Sequence, residues 1–401
     1  MSRPGPVGQN ARPLSDYFEV RNTKTSGRGV FALTDIPPDT TLLETCLIAA
    51  STIYKPYAKE VCAQCFAYDR GVLWKIRDNS RNVVFCGESC RELWSTSTPP
   101  SALVAREQVQ EFLVRRNKQK LWDSEIVDFN KPSVEEIEKA WTEAEEKANL
   151  IRAARSSTSN PKTKAQLKTL RQVRQSLHPD PDTLWFLLDA VTQVLGRDGI
   201  LESSTADLAV DPRPYINTED LGFHVEAYLV LLATVPEQVL PHVQQSLLRT
   251  IQSRTTHNSF GLRSLDEGGG GGGGAEADAD AGRTTMAVGS ECFGFGVWPE
   301  ASYWNHSCEP NLKKSRAGRT WRFSTSRSVK PGDELCISYL GGDERDMSTV
   351  ERKEKLQRIW GFECACTKCV APTWVSSTHI TTPQNHKHLG GVTSDDLGGK
   401  K

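Results

Sequence analysis

At 401 residues, with 49 lysines and arginines against 50 aspartates and glutamates, the chain has a formal net charge of -1. That balance offers no global basic field for a phosphate backbone, so nucleic acid is not expected as a direct partner. No run approaches the ~18 apolar residues of a membrane span and the opening MSRPGPVGQNARP has no apolar signal core, so the expectation is a monomer of two or three domains in the nucleus and/or the cytoplasm.

Residues 1–13 read as disordered. From 14 to 61 the strand signals YFEV and GVFAL, broken by Gly27, Gly29 and Pro37-Pro38, predict the start of a small sheet. Residues 62–90 carry four cysteines. From 91 to 255 charged stretches (EEIEKAWTEAEEKANLIRAAR) and apolar ones (LWFLLDAVTQVL, HVEAYLVLLATV) follow each other with helical periodicity, which predicts a helical insert. Strand patterns return over 256–342 with TWRFSTS and ELCISYL on either side of the Lys330-Pro331-Gly332-Asp333 turn. A Gly-rich stretch, residues 267–283, predicts a flexible loop inside that segment. Residues 343–370 bear a second cysteine group, and the polar tail 371–401 reads as disordered. Small strands around a helical insert give an α+β class.

In a reducing compartment, close pairs among the 11 cysteines read as metal ligands before disulfides. Cys62-Ala-Gln-Cys65 and Cys86-Gly-Glu-Ser-Cys90 supply four thiolates as two pairs, the set that zinc takes in a closed structural site, and pairing lowers the loop-closure cost. Cys364-Ala-Cys366-Thr-Lys-Cys369 supplies three. The fourth is expected from Cys308, whose loop SYWNHSCEPN also carries polar binding residues, with Cys336 as the weaker candidate. Cys336 otherwise reads as core filling, together with Cys46 and Cys292.

Four motifs follow in order: Gly27-Arg28-Gly29-Val30-Phe31, Asn305-His306-Ser307-Cys308-Glu309-Pro310-Asn311, Glu334-Leu335-Cys336-Ile337-Ser338-Tyr339, and Gly361-Phe362-Glu363-Cys364-Ala365-Cys366-Thr367-Lys368-Cys369. In that order they resemble a SET-domain protein lysine methyltransferase. The first cysteine group looks like a MYND zinc finger, which points to the SET-and-MYND subgroup. The finger is reduced, with the ligands of only one of the two interleaved zinc sites. The helical repeat domain that often follows the post-SET cysteines is not seen, so substrate selection is expected to rest on the SET core and its helical insert.

The resemblance implies a SET β-fold of small sheets with a knotted C-terminal strand, a helical insert, an inserted zinc finger and a post-SET zinc site. The implied activity is S-adenosylmethionine-dependent methylation of a lysine on a protein substrate, histone or non-histone, with two structural zinc ions. Asn305 and His306 would face the cofactor while Cys308 turns to the post-SET zinc beside Cys364, Cys366 and Cys369. Gly27, Arg28 and Gly29 would let backbone approach the cofactor. Asn258, in Asn258-Ser259-Phe260-Gly261, would add a contact, and Phe362 would lie against the adenine. Tyr339 would be the catalytic residue, orienting the amine for an in-line displacement that needs no nucleophilic side chain. Tyr303 and Trp304, just ahead of the loop, could line the lysine channel, with packing as the favoured role. The other class weighed is a catalytically silent SET-fold zinc scaffold for protein-protein interaction; the joint presence of Asn305, His306, Tyr339 and Phe362 favours the enzyme.

Overall fold

A computed structural model describes residues 12–23, 27–69, 71–116, 130–156, 161–195, 197, 199–263, 291–340 and 347–370. The loop expected over 267–283 lies outside these residues, as do the expected tails apart from positions 12 and 13.

The chain begins with the antiparallel pair β1 (Phe18–Asn22) and β2 (Arg28–Ala32), followed by β3 (Thr41–Thr45) and β4 (Ala50–Ile53). The first cysteine segment folds around the hairpin of β5 (Ile76–Asp78) and β6 (Val83–Phe85) and the helix α1 (Glu88–Ser97). The helical region then comprises α2 (Pro100–Arg116), α3 (Val134–Arg155), α4 (Lys164–Ser176), α5 (Pro181–Gln193), α6 (Ile200–Thr205), α7 (Thr218–Thr234) and α8 (Gln245–Asn258). A capping box between Ser133 and Glu136 starts α3, whose buried Ile137, Trp141, Ala144, Ala148 and Ile151 recur every three or four residues and form one stripe. By contrast α7 buries residues on all sides, and it sits centrally against α2, α3, α4 and α5.

The last part contributes β7 (Ser259–Arg263), β8 (Cys292–Val297), β9 (Asn305–His306), β10 (Leu312–Ala317), β11 (Thr320–Thr325), β12 (Cys336–Ile337), α9 (Thr349–Trp360) and α10 (Thr367–Val370). Two three-stranded antiparallel sheets result, ordered β4-β8-β7 and β10-β11-β3. Since α5 packs on β4 and α8 runs straight into β7, the helical region is anchored on the first sheet. Phe260, Trp298, Trp321 and Phe323 pack together across the two sheets, the Phe260 and Trp321 rings at 5.0 Å. Such aromatic pairs contribute about 0.5–1.5 kcal/mol each beyond their burial.

ELCISYL, expected as one strand, is divided between two partners. Glu334 bridges Phe31 and Leu335 N–H donates to Val30 O (2.7 Å), after which Cys336 and Ile337 pair in parallel with Asn305 and His306. The two motifs that bracket the proposed chemistry therefore run side by side, and both touch β2. Of the cysteines expected in the core, Cys336 is buried, but Cys292 is half-buried and Cys46 is exposed, because it follows the inward-facing Thr45 at the end of β3. Among the described residues no helix is long and apolar enough to cross a membrane.

Candidate active site and metal centres

The parallel pairing of β9 with β12 puts Asn305 and His306 within reach of β2 and of Tyr339. Both hydrogens of Asn305 Nδ2 are spent, on Arg28 O (2.7 Å) and Glu334 Oε1 (2.7 Å), leaving Oδ1 for a ligand. A Cβ on Gly29 would stand 2.5 Å from Glu334 Oε1, so any side chain there would push that carboxylate away from Asn305. Gly27 is open around its Cβ position and has φ of 69°, a conformation that favours glycine.

His306 Nδ1 accepts the backbone N–H of Tyr339 (3.0 Å), so the ring carries its proton on Nε2, which lies 3.2 Å from Cys308 Sγ. One imidazole thus joins the Tyr339 segment to a cysteine sulfur. The half-buried Tyr339 ring packs beside His306 (5.3 Å), Trp360 (5.4 Å) and Phe362 (6.3 Å), and its hydroxyl donates to Trp304 O (2.8 Å). Burial pushes the Tyr339 pKa up from its ordinary value, with Cys336 and Glu334 adding to the effect. The phenol therefore stays protonated near neutrality and serves as a donor and dipole, not as a base.

Asn258 is supplied by the end of α8. It is buried at the α8–β7 junction, its Nδ2 donates to Ala209 O (2.8 Å) and Arg254 O (2.7 Å), and its carbonyl accepts Ser302 Oγ (3.0 Å). These contacts set the segment leading to Tyr303 and Trp304, both of which are buried. Two residues given no role by the sequence reading matter as much. Asn311 ties the parallel threads together, donating to Glu334 O (2.8 Å) and accepting Cys336 N–H (2.8 Å), and Glu334 holds Asn305. Both stand inside quoted motifs, but only the register shows what they bridge.

Arg28 lies with its guanidinium carbon 4.7 Å from the Tyr303 ring centre, and its buried Nη1 has no hydrogen-bond partner among the described residues. An orphaned cationic donor beside the backbone that Asn305 grips suits the carboxylate of an amino-acid ligand.

The cysteines form two groups of four, Cys62, Cys65, Cys86 and Cys90, and Cys308, Cys364, Cys366 and Cys369; in each, the sulfurs lie within 4.8 Å of one another. Sulfur tetrahedra around zinc, with bonds of about 2.3 Å, have edges of about 3.8 Å. The measured separations are 3.6 Å for Cys65–Cys86, 3.5 Å for Cys86–Cys90, 3.9 Å for Cys308–Cys364 and 3.5 Å for Cys308–Cys369. The donor set and its spacing fit zinc. Within each group one thiol is already held toward thiolate, Cys62 by the Cys65 S–H and Cys364 by the Cys308 S–H. The buried Arg352 brings Nη2 to 3.8 Å from Cys369 Sγ, placing a cation beside the second group.

Residues 27–340 match the SET domain family, which is more than half the chain. The chain belongs to the SET-domain family. Its SET domain spans β2 to Leu340, including Asn305, His306 and Tyr339, and leaves α9, Phe362 and the last three cysteines just beyond it. A relative from Saccharomyces cerevisiae, "Potential protein lysine methyltransferase SET6", is 27% identical over 397 residues, covering 90% of this chain and 97% of the relative. A SET and MYND domain-containing protein of Dictyostelium discoideum is 38% identical over 197 residues, and "Protein-lysine N-trimethyltransferase SMYD5" of Mus musculus is 37% identical over 82 residues. Those two matches cover 46% and 20% of this chain, and 37% and 20% of the relatives.

Proposed function

We propose that this SET-domain chain is a protein lysine N-methyltransferase that uses S-adenosylmethionine, with zinc in both cysteine groups. The observation that carries the reading is the convergence of His306, Tyr339 and Phe362 in one half-buried group, with Asn305 next to His306 in β9 and the segment that Cys308 shares with Cys364, Cys366 and Cys369 packed beside it. The cofactor would supply an electrophilic methyl group, held by Asn305 Oδ1, the orphaned Arg28 Nη1 and the Phe362 ring. The chain's own work is positioning. The Tyr339 hydroxyl, fixed by Trp304 O, orients the acceptor nitrogen. The aromatic walls of Tyr339, Trp360 and Phe362 strip water from an incoming lysine. Because an ammonium has a pKa of about 10.4 in water, that desolvation favours the neutral, nucleophilic amine.

The test is transfer of label from methyl-labelled S-adenosylmethionine into protein extract by the zinc-loaded chain. A labelled band that falls by about 10²-fold or more with Tyr339→Phe is expected. Label incorporated equally by wild type and Tyr339→Phe would contradict the proposed role, and cofactor binding with no labelled protein would contradict the activity.

A further inference from the structure

A second cavity, of about 480 Å³, lies between the first cysteine segment, the helices α2 and α5 and the sheet strand β4. That size falls within the range of small-molecule pockets. Its lining includes none of Asn305, His306, Tyr339 and Phe362. Its walls include the rings of Phe66, Trp94, Phe112 and Trp185, and two arginines reach into it, Arg106 and Arg319.

Both arginines are anchored by part of their guanidinium. Arg106 Nε donates to Arg81 O (2.9 Å) and its carbon sits 4.4 Å from the Trp185 ring centre. Arg319 donates through Nε to Gln64 O (2.8 Å) and through Nη2 to Ala63 O (2.7 Å). Arg106 Nη1 and Nη2 and Arg319 Nη1 donate to nothing among the described residues. Neither arginine has a carboxylate within ion-pair distance there. Asp189, the acidic residue on the wall, already accepts Ser51 N–H (2.7 Å), Ser51 Oγ (3.0 Å) and Gln193 Nε2 (3.3 Å). Burial lowers the pKa of both arginines, Arg106 to about 10, yet both keep their charge at neutral pH. Lys55 and Lys59, exposed at the edge, add to the positive field. Asp189 offsets part of the charge of these two half-buried arginines, with Cys62 and Cys65 adding to it at Arg319, and the Nη groups left without a hydrogen-bond partner can still donate a charge-assisted bond to an anion.

We propose that this cavity binds a small organic phosphate or carboxylate, its anionic head on the Nη groups of Arg106 and Arg319 and its flat unsaturated body against the aromatic walls. The ligand would bridge the first cysteine segment to α2 and β4, and so would stabilise their docking.

The test is calorimetry on the zinc-loaded full chain with 1-naphthyl phosphate, inorganic phosphate and neutral 1-naphthol as probes. We expect 1:1 binding of 1-naphthyl phosphate, at least tenfold tighter than either fragment, weakened at least tenfold by Arg106→Met and partly restored by Arg106→Lys. Saturating S-adenosylmethionine should leave that affinity within twofold. Hydrogen exchange on the wild-type chain covers the case in which Arg106→Met does not fold: ligand-dependent protection is expected in residues 106–113 and 181–189. Absence of binding, an unchanged affinity in a folded Arg106→Met, competition by S-adenosylmethionine, or protection confined to 305–306 and 336–339 would each overturn the proposal.

Discussion

The two four-cysteine groups have the same chemistry and keep different company. Cys62, Cys65, Cys86 and Cys90 pack with Val83, Phe85 and Trp94 in a small satellite core, and the segment is docked on the rest of the chain through Arg319 and Arg106. Cys308, Cys364, Cys366 and Cys369 pack with Leu340, Leu356, Trp360, Phe362 and Tyr339, and Tyr339 belongs to the main core as well. A structural metal contributes folding free energy wherever it binds. In the first group a bound metal would hold a peripheral unit together; in the second it would fix the segment that packs on Tyr339.

The two groups should differ most in their effect on turnover. Cys364→Ser should lower methyl transfer by about 10²-fold, since displacing Phe362 and Trp360 by about 1 Å disturbs every ring around Tyr339. Cys65→Ser, assayed below its own melting temperature, should leave transfer within about threefold, because the first group packs in its own satellite core, which among the described residues includes neither Tyr339 nor Phe362. Comparable losses in the two variants would remove the distinction.

Next in size is stability. Cys65→Ser should halve the bound zinc, measured by metal analysis, and lower Tm by several degrees, at about 2–4 °C per kcal/mol in a domain of this class. Asn311→Ala then tests the second region without touching a metal ligand. Losing a buried amide that bridges Glu334 O and Cys336 N–H should cost about 1–3 kcal/mol in denaturant unfolding. A neutral result would mean that the parallel threads hold without it.

The smallest effect lies outside both groups, at the start of α5, and depends on pH. Asp182, which accepts Lys55 N–H (2.8 Å), has its pKa pushed up to about 7 by burial, with Asp180 adding to it. The unfolded chain would ionise it near 3.8, so the folded state holds the extra proton between those values, and stability from this group falls as pH rises from about 4 to about 7. Asp182→Asn keeps the acceptor and removes the charge. It should therefore raise stability at pH 8, by an amount of order 1 kcal/mol because the α5 N-terminus partly favours the carboxylate, and by nothing below about pH 4. Tm measured at both values checks the sign.

Much of this was legible in the sequence for a physical reason: ligands of one metal must be close in space, and pairs close in sequence achieve that cheaply. The spacing of the cysteines therefore groups Cys62 with Cys65 and Cys86 with Cys90. The periodicity of α3 and the apolar run of α7 likewise announce helices and their burial. What spacing could not show is register. Glu334 and Asn311 gain their partners only when two segments of the chain lie side by side, and ELCISYL looks like one strand although it serves β2 and β9 in turn. Asn258 carries a local motif, but only the fold shows that its backbone carbonyl accepts Ser302 Oγ, three residues before Asn305. The Arg106 and Arg319 cavity joins residues more than 200 positions apart, and nothing local marks it.

The most direct measurement is the affinity of the zinc-loaded chain for S-adenosylmethionine in wild type, Cys364→Ser and Cys65→Ser, compared at one temperature where all three are folded. We predict at least a tenfold loss for Cys364→Ser and an unchanged value for Cys65→Ser. Equal affinities in Cys364→Ser and wild type, or a loss confined to Cys65→Ser, would contradict the claim that the second cysteine group completes the active site.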